Sequence, residues 1–141
     1  MSLVRHLEKH GHSCYFASDL EPQDEPVDIA GAMVSHKAIT ADALTLTTPL
    51  QGADVIITNT PWSRHILHPM IEHFRKHKRA WILLDAGWMF TKQSADYMGY
   101  CSKVVAVGRL RWIADTKMTG KDDCVWLCME QTRCETIFIG R

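Results

Sequence analysis

Apolar and polar positions alternate between short buried runs and helical stripes along most of the chain. Leu3, Val4 and Leu7 share one face of a helix over Val4 to His10, and Gly11 follows as a stop signal. Ser13 to Ser18 reads as a buried strand, with Asp19 just past its end. Glu21 to Pro26 is acidic and proline-bearing, a loop, and Gly31 to Thr48 holds apolar residues without a clean period. Pro49 to Gly52 turns the chain into Asp54-Val55-Ile56-Ile57-Thr58, the pattern of a strand buried in a parallel sheet. That strand ends on Asn59, followed by Thr60, Pro61 and Trp62. Ile66, Leu67, Met70, Ile71 and Phe74 then make one helix face. Pro69 is excluded from a deep helical position, so the helix is expected to begin near His68.

Ala80 to Leu84 is the next buried strand, ended by Asp85-Ala86-Gly87-Trp88. A short helix is expected around Lys92 to Tyr97 and a strand over Ser102 to Val107. After a polar loop from Lys117 to Asp123, Val125 to Met129 returns as an antiparallel partner, and Thr136 to Ile139 is a last short strand. Strands alternating with helices predict a mainly parallel α/β sheet, and the closing strands, joined without a long crossover, predict an antiparallel pair at its edge.

The 141 residues suit one domain with one core. Acidic and basic residues balance at 16 each, which argues against a dedicated high-affinity nucleic-acid binder but leaves room for a basic patch. Arg75-Lys76-His77-Lys78-Arg79 is the densest one and reads as a solvated surface; Lys103, Arg109 and Arg111 are a looser second. Five Cys, an odd number, with no secretory signal and no membrane-length apolar run, predict reduced thiols in a cytoplasm. Eight His invite a metal reading, since His65 and His68, or His73 and His77, have usable spacing. No set of four converges by spacing, so no metal is expected.

An Asn and an aromatic at the carboxyl end of a buried parallel strand stand where open α/β sheets bind ligands. Asn59-Thr60-Pro61-Trp62 resembles motif IV of the amino-methyltransferases, usually written Asp/Asn-Pro-Pro-aromatic, with Thr60 in place of the first Pro. Leu84-Asp85-Ala86-Gly87-Trp88, Val107 to Trp112 and Thr119 to Asp123 before Trp126 look like the later blocks of phage-type DNA N6-adenine methyltransferases. The alternative for the motif is an ordinary strand-ending turn with a Trp packed on the core. Asp85, at a strand end, is a candidate catalytic residue, but reads first as a turn cap. Trp88, Trp112 and Trp126 are candidates for a base pocket or for core.

The resemblance implies a Rossmann-like methyltransferase sheet and S-adenosylmethionine as methyl donor. It implies Asn59, Thr60, Pro61 and Trp62 as the catalytic turn. Asp19 and Leu20, at the end of the second strand of that fold, would meet the cofactor ribose, and Asp42 and Ala43 its adenine. An acid after a strand is also a common helix cap, which is the plain alternative for Asp19. Adenine-containing DNA is the implied partner. The family's glycine-rich turn is absent, for the chain has no Gly-x-Gly. The expectation is therefore an incomplete domain over 1–141, with its first strand upstream and a homo-oligomer as one way to fill the gap. Transfer to another amine (N4 of cytosine, an rRNA guanine, a protein glutamine amide) and a non-catalytic binding protein of the same fold are the other readings. A bacterial or phage-infected cytoplasm is the implied location.

Overall fold

The computed structural model describes residues 3–20, 38–47, 52–111 and 119–141. The expected loop at Glu21 to Pro26, the Gly31 to Lys37 part of Gly31 to Thr48 together with Thr48, and Trp112 lie outside these residues. The chain divides into two compact units, Met1–Ala53 and Asp54–Arg141, each described by itself.

In the first unit, helix α1 spans Leu3–Lys9. Gly11 ends it with φ at 84°, a left-handed conformation open to a residue without Cβ. Its N–H donates to the Glu8 carbonyl at 3.0 Å and that of His12 to Leu7 at 3.2 Å, the paired bonds of a Schellman motif. Strands β1 (Ser18–Asp19) and β2 (Ile39–Thr40) pair in parallel, Asp19 opposite Thr40. The buried strand expected over Ser13 to Ser18 is thus only two residues of ladder, and Tyr15 is 65% exposed. The reason lies in the partner: β2 offers two residues to pair with, so the apolar run before Ser18 has no sheet surface to build on.

The second unit is a five-stranded mixed sheet with helices. Its strands are β3 (Ile56–Asn59), β4 (Ala80–Asp85), β5 (Cys101–Arg109), β6 (Asp123–Met129) and β7 (Ile137–Ile139), in spatial order β3-β4-β6-β5-β7. β3 and β4 are parallel, joined through helix α2 (Arg64–His77) as a strand–helix–strand crossover. β6 runs antiparallel to both β4 and β5, and β7 is parallel to β5.

The antiparallel strand is therefore inside the sheet, where an edge pair was expected. Its composition carries the reason. Cys124, Val125, Leu127, Cys128 and Met129 are all buried, so both faces of β6 are covered. A near-continuous apolar run is the mark of such a central strand.

Helix α2 begins at Arg64, four residues before the expected start, and Pro69 lies within it. Ser63 accepts from Ile66 and Leu67 N–H groups at 2.9 Å, which sets the first turn. Leu67, Met70, Ile71 and Phe74 are buried against the sheet unit. Pro69 removes one helical bond, a cost of roughly 3 kcal/mol in a helix interior, but it points to the exposed side. Burying four large side chains at about 1.5–3 kcal/mol each more than offsets it.

The expected helix at Lys92 to Tyr97 is a 3-10 turn (Lys92–Ser94) running into α3 (Ala95–Met98). The basic run at the end of α2 is not uniformly solvated. Arg75 is 9% exposed, with its guanidinium 3.8 Å from the Tyr100 ring centroid and in a bidentate pair with Glu72. Arg79 binds Glu130 at 2.8 Å. No helix among the described residues is long and apolar enough to cross a membrane.

Candidate functional site

The ladder sets Asn59, the last residue of β3, opposite Leu83, so β3 and β4 finish at the same edge of the sheet. Asn59 is exposed, Thr60 is buried at 3% exposure, Pro61 is exposed and Trp62 is half-buried. The alternation follows from the extended backbone that Pro61 imposes on the residue before it. Thr60 Oγ1 is buried with no hydrogen-bond partner among the described residues.

Two residues beyond Leu83, Asp85 ends β4 and turns the chain into a 3-10 helix, Ala86–Phe90. Its carboxylate accepts from the Gly87 N–H at 2.9 Å, so it caps this helix. A Cβ on Gly87 would stand 3.2 Å from that carboxylate, a reason for glycine there. Trp88 follows, 6% exposed, and donates from Nε1 to His68 Nε2 on α2 at 3.1 Å. Tyr97 stacks against His68 at 4.9 Å between ring centroids. Burial, then the nearby Glu72 and Asp96 carboxylates, push the Tyr97 phenol up, so it stays protonated near neutrality.

These elements enclose a cleft of about 370 Å³, lined by Trp62, Arg64, Leu67, Leu84, Asp85, Gly87, Trp88 and Thr91. The size is at the small end of the ~300–1,000 Å³ typical of ligand sites. Two indoles, an arginine and a carboxylate in one cleft suit a flat ring carrying polar edges. Arg64 and Thr91 were not singled out in the sequence. Arg64 had a signal, since it opens the helix directly after the candidate turn. Thr91 had none. Trp126 stands in mid-sheet, opposite Leu83 on β4 and Val105 on β5, and does not line this cleft.

In the first unit, Asp19 closes β1 and its carbonyl accepts from Ala41 N–H at 3.0 Å. Asp42 follows β2 by two residues and caps the 3-10 turn Ala43–Thr45 through its carboxylate, which accepts from Leu44 N–H at 2.9 Å. Asp19, Leu20, Asp42 and Ala43 thus gather at the carboxyl end of one parallel strand pair. The Asn59–Trp62 turn belongs to the other unit. Among the described residues no three His, Cys, Asp or Glu form a group that could hold a metal ion.

No protein-family model matches this chain, and neither a curated protein nor a solved structure matches it significantly.

Proposed function

We propose that this chain is an S-adenosylmethionine-dependent amino-methyltransferase domain acting on N6 of adenine in DNA. The observation that carries the reading is the position of Asn59: it is exposed at the carboxyl end of a parallel strand, and Trp62, three residues on, lines an aromatic cleft of which Asn59 itself is not a lining residue. An antiparallel strand entering late in a sheet with parallel strands is also in keeping with the fold that the resemblance implies.

The carboxylates at the carboxyl end of β1 and β2 are the feature that supports this cofactor. Asp19 would accept from ribose hydroxyls, and the Asp42–Ala43 turn would meet the adenine. The cofactor, when bound, supplies an electrophilic methyl group.

The chain's own residues act on the amine. An exocyclic amine is a weak nucleophile because its lone pair delocalises into the ring. The Asn59 side-chain oxygen and the Thr60 carbonyl would each accept a hydrogen bond from one of its N–H groups, drawing the lone pair out of conjugation with the ring. Both bonds strengthen as the nitrogen gains positive charge, so they favour the transition state over the ground state. Pro61 fixes the direction of the Thr60 carbonyl. Trp62 would stack on a base taken out of the duplex.

The test is transfer of labelled methyl groups from S-adenosylmethionine to defined DNA duplexes, followed by digestion and identification of the product. N6-methyladenine supports the proposal. Label on cytosine N4, on RNA or on protein assigns the same turn to another amine. No transfer at saturating cofactor, with folded protein, favours the non-catalytic reading.

A further inference from the structure

We propose that the edge strand β7 joins two copies of this chain, pairing antiparallel with itself about a two-fold axis centred on Phe138. β7 is the outermost strand, held on one side by β5 and unpaired on the other among the described residues. Its three residues are large, apolar and open to solvent: Ile137 is 60% exposed, Phe138 66% and Ile139 43%. An apolar edge with free N–H and C=O groups is a template for another strand, and proteins that keep such an edge single blunt it with Lys, Pro, a bulge or a very short strand. β7 is short, three residues, but carries no Lys, Pro or bulge within its span.

The flanking charges identify the partner as a second copy. Side chains two apart share a strand face, so Ile137 and Ile139 lie together, and in the dimer the same extended course carried two residues past each end of β7 brings Glu135 and Arg141 onto that face. The order along that face is acid, apolar, apolar, base. Read in the opposite direction it is its own complement. Centring the axis on Phe138 sets Glu135 opposite the partner's Arg141, Ile137 opposite the partner's Ile139, and Phe138 against the partner's Phe138. Centring it on Ile137 would place Arg133 opposite the partner's Arg141 and strand Glu135 against an isoleucine. Centring it on Ile139 would place Ile137 opposite the partner's Arg141. Charge complementarity therefore selects one register. Arg141 is exposed, its guanidinium 2.7 Å from where a Cβ on Gly108 would stand, and it swings outward to meet the partner's Glu135. The two five-stranded sheets become one continuous sheet across the axis.

Sedimentation equilibrium of the full chain over a range of concentrations tests this. The wild type should show a monomer–dimer equilibrium with a dissociation constant below about 1 mM. Glu135→Arg and Arg141→Glu should each weaken it by roughly tenfold, because each puts like charges opposite one another twice. The double variant, which swaps the charges, should return to within about threefold of the wild type. Phe138→Lys, checked by circular dichroism to be folded, should be monomeric. A wild type that stays monomeric throughout, a double variant as weak as the single ones, or a folded Phe138→Lys that dimerises normally would each overturn the proposal.

Discussion

Trp88 Nε1 donates its hydrogen to His68 Nε2 at 3.1 Å, which ties the turn after β4 to helix α2. The indole N–H is on a residue only 6% exposed, so water cannot readily replace the imidazole. His68→Phe keeps a ring but removes the acceptor, and should destabilise the fold by about 1–3 kcal/mol. Trp88→Phe removes the donor, and adding it to His68→Phe should cost less than the sum of the two single changes, with a coupling of about 1 kcal/mol. Urea unfolding of the four proteins measures the cycle. Strict additivity would show that the bond contributes nothing.

Thr60 presents the reverse case, a buried hydroxyl with no partner among the described residues. Thr60→Val preserves shape and removes the desolvated oxygen, so it should raise stability by about 1 kcal/mol in urea unfolding. Thr60→Pro keeps the carbonyl and, under the proposed function, should be neutral or mildly activating in methyl transfer. Strong destabilisation by Val would reveal a bond that Oγ1 makes in solution.

Much of the second unit was legible because its apolar runs are long and bounded by turn residues. Ala80 to Leu84, Ser102 to Val107 and Val125 to Met129 all became strands of one sheet. Position within the sheet was harder, since strand order depends on which neighbour covers which face. For β6 the burial of both Cys124 and Val125 holds the answer, and the unbroken apolar run signalled it. The start of α2 was misjudged because Pro69 was given its local preference, which the buried stripe from Leu67 to Phe74 overrides. In the first unit, Ser13 to Ser18 has strand composition without a long enough partner. For the site, Asn59 to Trp62 was read from local sequence, and Asp85 fell to its cap role as that reading expected. The Trp88–His68 bond joins residues 20 apart and had no local signal.

The buried thiols give the fold a pH limit on the alkaline side. Burial pushes the Cys101 thiol up to about 11 from an ordinary 9.0, and it raises Cys124 and Cys128 as well. The native thiol holds its proton more tightly than the unfolded one. Its contribution is therefore fully present below pH 9 and is lost as pH climbs from 9 toward 11. For Cys101 the loss across that window is of the order of 2 kcal/mol. Unfolding free energies should be flat with respect to this residue from pH 7 to about pH 9 and fall from there toward pH 11, and Cys101→Ala should flatten the fall. An identical alkaline decline in Cys101→Ala would assign it to other groups.

Trp62 is half-buried on the cleft and is proposed to stack on the target base. Trp62→Ala should weaken binding of adenine-containing single strands by about 1–3 kcal/mol, and Trp62→Phe should recover much of it. Fluorescence anisotropy with a labelled oligonucleotide reads the difference. Equal affinities for wild type and Trp62→Ala would remove Trp62 from the binding surface.

The most direct test of the account is the single-turnover rate of labelled methyl transfer to adenine-containing DNA by wild type and Asn59→Ala, at cofactor concentrations that saturate both. Asn59 contacts the amine in this reading, while the cofactor is held by other residues. Loss of its acceptor should slow transfer by about 10² to 10³, or roughly 3–4 kcal/mol, with cofactor affinity nearly unchanged. A folded Asn59→Ala protein that transfers methyl groups at the wild-type rate would contradict the assignment of the strand-ending turn as the active site.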